Sequence, residues 1–309
     1  MPPQQAGHRR RYRRRPIRNH TPQTKRNKQG LNLFQFSLAN RMESGSVCRM
    51  KPSPPHWSVS PALQLWSVRN EMNTDARSTL HAIAAMGYRR VELAGFGNLA
   101  TPGEVRDAVE SAGLTLLATH VPIEFLRSKP DGVLEDTLAL GTSRVVCPIL
   151  PAASFQTLES CREAGREMDG IGAQLRAGGV QLSYHVHGRD EFKLLDGEFA
   201  LDRMLAECAP GHVELEIDVL WVAHAGISPG DYIRRMGATL IHIKDMTPEG
   251  KSTDLGTGIL DLPDILGAIG ETHAAEDVII EQEHFTRPPM ETAERNLRAF
   301  QELISRKTV

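Results

Sequence analysis

The stretch Phe155–His187, FQTLESCREAGREMDGIGAQLRAGGVQLSYHVH, decides the fold. It reads as a long amphipathic helix over Phe155–Ala177, the clearest in the chain, running into a short apolar strand over Val180–His187. The same unit recurs on both sides. Candidate strands are Ala62–Val68, Tyr88–Ala94, Leu114–His120, Arg144–Ile149, Val180–His187, His212–Val219, Thr239–Lys244 and Asp277–Glu281, with helical patterns between them. The first helix opens at Asn73-Thr74-Asp75, good capping residues, and closes at Gly87. The second opens at Thr101-Pro102 and closes at Gly113. A spacing of about thirty residues is that of one strand–helix unit. Strands alternating with helices predict a parallel sheet covered by helices. Eight such units predict an α/β chain closed into a (β/α)8 TIM barrel. The rival is a doubly wound open sheet, which wants a glycine-rich phosphate turn after its first strand. Here that strand runs into Ser67-Val68-Arg69-Asn70-Glu71, without G-x-G-x-x-G.

The 309-residue chain is 40% hydrophobic and 24% charged, ordinary for a globular protein. No run approaches the roughly 18 apolar residues of a membrane helix, which excludes an integral membrane protein of that kind. Cys48, Cys147, Cys161 and Cys208 lie far apart with no C-x-x-C pair, so neither a cysteine zinc ribbon nor a disulfide framework is expected. A reducing cytoplasm is the expected compartment.

The net charge of −2 hides an asymmetry. Residues 1–60 hold 13 of the 36 Lys+Arg and one of the 38 Asp+Glu, Glu43. The remainder carries 23 basic and 37 acidic side chains, a net of −14. So acidic a surface is not expected to bind nucleic acid. Residues 1–60, with Arg9–Arg11, Arg13–Arg15, several prolines and few aliphatics, read as a disordered basic extension. A nucleic-acid arm, a targeting peptide and a twin-arginine export signal are its functional readings. The last needs an apolar stretch, and Leu31–Ala39 is short and broken by Asn32, Gln35 and Ser37. The expected organisation is this extension followed by one barrel domain over 61–309.

In such a barrel, chemistry belongs at the C-terminal ends of the strands. Ionisable residues gather there: Glu92, His120, His185 and His187, Asp218, His242 and Lys244, and Glu281. Strand alternation puts His185 and His187 on one face, away from Tyr184 and Val186. Asp218 likewise opposes Ile217, His242 opposes Ile241 and Ile243, and Glu281 opposes Ile280. The aliphatic set suits the helix-covered outside, so the polar set points into the mouth. Imidazoles and carboxylates are costly to bury without a partner, and a divalent cation accepts both. Nitrogen and oxygen donors without thiolate suit Mn, Mg, Co or Zn. Glu214 and Glu216 share the face of Asp218, so carboxylates on that strand do not by themselves single out a ligand.

Ordered motifs over residues 62–305 resemble the sugar phosphate isomerase/epimerase family, the xylose isomerase-like TIM barrels. Leu63-Gln64-Leu65-Trp66-Ser67-Val68-Arg69 is similar to that family's opening strand, and Gly87–Leu93 to its second. Thr119-His120-Val121-Pro122 resembles its S-x-H-x-P turn. Tyr184-His185-Val186-His187 with Glu191-Phe192 resembles Y-H-N-H-x-x-E-F, with Val for Asn and one extra residue before the Glu-Phe. Leu215–Trp221, Ile241–Asp245, Leu255–Asp261 and Ile280–Glu283 resemble the later motifs.

The resemblance implies a divalent metal held by His185, Asp218, His242 and Glu281. It departs from the sugar epimerases at the fifth strand, where His185 stands for their glutamate. It implies a small-molecule sugar or keto-sugar substrate and proton abstraction beside a carbonyl through an enediolate. Glu281 is then the acid/base, with His185 or Glu191 on the opposite face and Lys244 neutralising charge. Glu92, His120, His187 and Trp221 would contact substrate. Lys244 reads equally as a salt-bridge partner of Glu216 or Asp218, and Glu92 as half of an ion pair. The Gly256–Asp261 loop reads as a phosphate cradle or as a plain turn. The same site would serve a dehydratase or a 3-keto-glycoside-cleaving enzyme, since both begin with the same enolate. A non-catalytic sugar-binding barrel and a DNA endonuclease are the remaining readings, the latter opposed by the acidic fold. A homodimer is an expectation by analogy alone.

Overall fold

The computed structural model describes residues 60–272 and 277–305. Apart from Ser60, the expected disordered extension lies outside the described residues. Eight parallel strands close into a barrel: β1 (Ala62–Gln64), β2 (Arg90–Leu93), β3 (Thr115–His120), β4 (Arg144–Cys147), β5 (Gln181–Val186), β6 (Val213–Asp218), β7 (Leu240–Ile243) and β8 (Asp277–Ile280). Each strand pairs with its neighbours in sequence, and β8 returns to β1 through Ala62 against Ile279. Helices α1 (Arg69–Met86), α2 (Pro102–Ser111), α3 (Ile123–Ser128), α4 (Pro130–Ala139), α5 (Leu158–Ala177), α6 (Ala200–Leu205), α7 (Val219–His224), α8 (Pro229–Met236), α9 (Leu262–Thr272) and α10 (Pro289–Ser305) cover the outside. No helix among the described residues is long and apolar enough to cross a membrane.

Local chemistry explains the element ends. Thr101 and Glu104 form a capping box that starts α2, and Thr157 with Ser160 starts α5. The latter moves the expected start of that helix from Phe155 to Leu158, leaving Phe155 in a 3-10 turn. The first helix begins at Arg69 rather than after Asp75, but it breaks at Asp75, whose backbone is extended (φ −155°, ψ 90°). The Asp75 carboxylate accepts the Ser78 amide at 3.1 Å, so it does cap the segment that follows. Strand β1 stops at Gln64, not Val68. The Gln64 side chain accepts the Trp66 amide at 3.0 Å and turns Leu65–Val68 into a 3-10 turn.

Two apolar layers follow from the pleat. Val91, Val145, Leu182, Ile217, Ile241 and Ile280 face outward into the main core beneath the helices. Ala62, Ala118, Val146, Leu240 and Ile279 face inward and plug the barrel. Below the plug, Asp277 pairs with Arg90 and with Arg144, the latter at 3.2 Å. Above it, Gln64, His120, His242 and Glu281 each stand two residues beyond an inward apolar residue, on the same face.

Candidate functional site

The inward-facing polar residues meet above the plug. Glu92, Glu216, Asp218, His242 and Lys244 are fully buried, and His185, Glu281 and Gln64 nearly so. Such groups are tolerated there only because each finds a partner. Gln64 Nε2 donates to Glu92 Oε2 at 2.8 Å, and His242 Nε2 lies 2.7 Å from the same oxygen. His185 Nδ1 lies 2.6 Å and His120 Nε2 3.1 Å from Glu216 Oε2. His242 Nδ1 faces Glu281 Oε2 at 2.8 Å. Lys244 Nζ stands 2.8 Å from each of Asp218, Glu281 and Glu283. Asp218 Oδ1 caps α7 by accepting the Leu220 amide at 2.9 Å, which aims Oδ2 at Lys244 and at His185 Nε2, 3.7 Å away.

The electrostatics follow from the charge count. Four fully or nearly buried carboxylates, Glu92, Glu216, Asp218 and Glu281, face one ammonium. Burial pushes the imidazole of His120 down, but Glu92 and Glu216 outweigh it and hold it up to about 10. His242 is likewise held well above the usual imidazole range: burial opposes its charge, and Glu216 and Glu92 override it. Burial raises Glu216, yet the charges of His242 and His120 bring it well below the usual carboxylate range. Glu281 falls below that range through Lys244 and His242, against its own burial. His187, further out, is pushed down to about 4 by burial and by the neighbouring His185 charge, so it is neutral at pH 7.

The donor set fits a divalent cation. His120, His185, Glu216 and His242 offer ligand atoms within 4.8 Å of one another, and so do Asp218, His242 and Glu281. The Oε1 atoms of Glu92 and Glu216 are buried without a hydrogen-bond partner. Unused oxygen lone pairs beside imidazoles, with surplus negative charge, are what a hard or borderline cation satisfies. The four expected ligands are divided between these two groups, with His242 in both and His185 in the one that lacks Asp218 and Glu281.

The cluster forms the floor of a cavity of about 710 Å3. His120, His185, His187, Trp221 and Glu281 line it, so three of the four residues expected to contact substrate, but not Glu92, border this space. The His187 and Trp221 rings lie 4.6 Å apart and form one wall. Glu92 and Lys244 sit beneath, Glu92 reaching the cavity through Gln64 and His120 and Lys244 through Glu281 and Glu283. Glu191 is placed elsewhere. Its carboxylate accepts the Tyr184 hydroxyl at 2.9 Å and the His187 amide at 3.4 Å, behind the strand, and it is not among the residues lining the cavity. Tyr184 faces the outer core, and the residue inserted before Glu191 goes with this position.

Two central residues carried a weak signal in the chain. Glu216 shares the face of Asp218 two residues earlier, a pattern that solvated strands also show, and only closure of the barrel makes it the hub of three imidazoles. Gln64 is uncharged and became legible through its position above Ala62.

No protein-family model matches the chain, and no curated protein matches it. Solved structures do. A sugar phosphate isomerase/epimerase from Parabacteroides distasonis superposes with a TM-score of 0.68 at 22% identity, over 78% of this chain and 93% of that one. This chain has the xylose isomerase-like TIM barrel fold. An L-ribulose 3-epimerase superposes with a TM-score of 0.64 at 14% identity, over 81% of this chain and 95% of the other. The probable 3-DHS dehydratase AsbF of Bacillus anthracis gives 0.63 at 12% identity, over 79% and 99%. Structures named for an epimerase and for a probable dehydratase thus share this fold, and the fold alone assigns neither reaction.

Proposed function

We propose that this xylose isomerase-like barrel is a divalent-metal-dependent sugar isomerase or epimerase that moves a proton beside a carbonyl. The observation that carries the reading is the pair of donor groups that share His242, His120–His185–Glu216 on one side and Asp218–Glu281 on the other, beneath a cavity that His185 and Glu281 line. Of these, His185, Asp218, His242 and Glu281 would hold the cation, Mn, Mg, Co or Zn. When bound, it supplies the positive charge that favours an enediolate.

The chain's own residues do the rest. Glu281 lines the cavity as an ionised carboxylate and takes the proton from carbon. His185 also lines the cavity and returns a proton on the other face only where it is left out of the ligand set; Glu191 does not line the cavity. Lys244 keeps Glu281 ionised and offsets developing negative charge. His120, steadied by Glu216, and Glu92, through Gln64, orient sugar hydroxyls. His187 and Trp221 close the wall against water. The likeness to a dehydratase supports a second reading, elimination from the same enolate.

The test is proton exchange in heavy water. Full-length protein loaded with each metal is incubated with ketohexoses and ketopentoses and followed by NMR. Deuterium entering the carbon beside the carbonyl, absent in Glu281→Gln, is expected. An epimer or aldose product assigns isomerisation, and loss of water assigns elimination. Sugar binding without exchange under any metal makes the barrel a binding protein.

A further inference from the structure

The floor of the cavity is polar, but its mouth is not. Trp66, Phe125 and Ile149 line it and are 45%, 52% and 52% exposed, three of the six large hydrophobic side chains that the described residues leave exposed. Scattered exposed hydrophobics are ordinary, whereas three around one opening mark a binding surface. They come from the turn after β1, from α3 after β3, and from the segment after β4, so the barrel gathers them to one side of the mouth. Trp66 is held in place. The Arg69 guanidinium stacks 4.6 Å from its ring and donates to its carbonyl at 2.8 Å.

The same opening offers a phosphate few donors. Glu281 and Glu283 line the cavity with Lys244 beneath them, and no lysine or arginine among the described residues lines it. The glycine-bearing loop that would cradle a phosphate has spent its donors. The amides of Gly256, Gly258 and Leu260 all donate to the Asp245 carboxylate, at 3.0, 2.8 and 3.2 Å. A phosphate would meet carboxylates on the floor and hydrocarbon at the rim.

We infer that the substrate is a sugar carrying a flat apolar substituent, seated on Trp66, Phe125 and Ile149, and not a sugar phosphate. The inference rests on the sugar reading of the floor and adds a second subsite above it. The sugar hydroxyls face His120, His187 and the carboxylates, while the substituent lies against the rim, where burying one aromatic ring supplies the affinity.

The experiment compares phenyl β-D-glucopyranoside, methyl β-D-glucopyranoside and glucose 6-phosphate by calorimetric titration of the full chain. The first two differ only in the apolar group. The phenyl glucoside is expected to bind at least tenfold more tightly than the methyl glucoside, and glucose 6-phosphate more weakly than either. Phe125→Ala and Ile149→Ala, both exposed sites, are each expected to reduce the phenyl-to-methyl ratio to threefold or less. Equal binding of the two glucosides, tighter binding of the phosphate, or a ratio that survives both substitutions overturns the inference and leaves the sugar reading standing. Binding of neither glucoside overturns the inference, and the sugar reading is then decided by the heavy-water exchange. A change of oligomeric state in Phe125→Ala assigns the rim to an interface between copies and overturns the subsite.

Discussion

His185 Nδ1 lies 2.6 Å from Oε2 of Glu216, the residue opposite it in the β5–β6 register. The same oxygen stands 3.1 Å from His120 and 3.3 Å from His242. One buried carboxylate therefore orients three imidazoles from three strands, and its charge helps hold two of them, His120 and His242, above the usual imidazole range. Glu216→Gln keeps the shape and removes the charge. Metal affinity, read by titration with Mn2+, is expected to fall by ~10–100-fold while the fold is retained. Glu214→Gln, on the same face but half-buried, is the control and leaves affinity unchanged.

The pH dependence of the metal-free protein follows from His120. Its folded value near 10 lies above the 6.5 of an unfolded imidazole, against burial, because of Glu92 and Glu216. The folded state then binds more protons than the unfolded state between those values. This contribution is fully present below pH 6.5 and is lost as pH rises through 10. Tm of chelator-treated protein is expected to fall across that window in scanning calorimetry. Metal affinity is expected to rise over it, because the cation displaces those protons.

Lys244 is the buried countercharge for Asp218, Glu281 and Glu283. Lys244→Met leaves the buried Asp218 and the nearly buried Glu281 without their countercharge, with the partly exposed Glu283 beside them. A loss of ~3–5 kcal/mol is expected from urea unfolding of the metal-free protein. A smaller loss is expected with metal present. An equal loss under both conditions would separate Lys244 from the metal site.

Gly172 in α5 is the close-approach point between that helix and the entry to β6. A Cβ there would lie 2.1 Å from the His212 carbonyl oxygen, a backbone atom that cannot move aside. Gly172→Ala is expected to destabilise by ~1–3 kcal/mol through overpacking. Gly170→Ala, in the same helix with open space around it, is expected to stabilise by up to ~1 kcal/mol. Urea unfolding of the two variants reads the difference.

The thiols are expected to be inert. Burial pushes Cys147 up to about 12 and Cys208 up to about 11. At pH 7.5 both are almost wholly protonated, and alkylation is expected to run at least ~100-fold slower than in the denatured chain. Peptide mapping after timed labelling measures this.

Period decided much of the architecture before any coordinate. A strand repeats every two residues, so Leu240 and His242, Ala118 and His120, or Ile279 and Glu281 must share a face. The neighbouring Ile241 and Ile280 must take the other. Eight such strands, each followed by a helix, leave the barrel as the closed solution, and the polar residues then collect at one end. The ligand candidates and the opening of α2 at Thr101-Pro102 were legible for this reason: they depend on local spacing.

What the tertiary structure alone decided depends on distance across the barrel. Glu216 and Glu214 look alike along the strand, and only the arrival of His120 and His242 from other strands distinguishes them. Glu191 looks like a site residue by its closeness to His187, yet its carboxylate lies behind the strand on the Tyr184 hydroxyl. Asp245 fills the amide nest of the Gly256–Asp261 loop from eleven or more residues away, which local spacing does not encode. Local pattern fixes which face a residue takes, while closure of the sheet determines which residues meet there, and the chemistry depends on both.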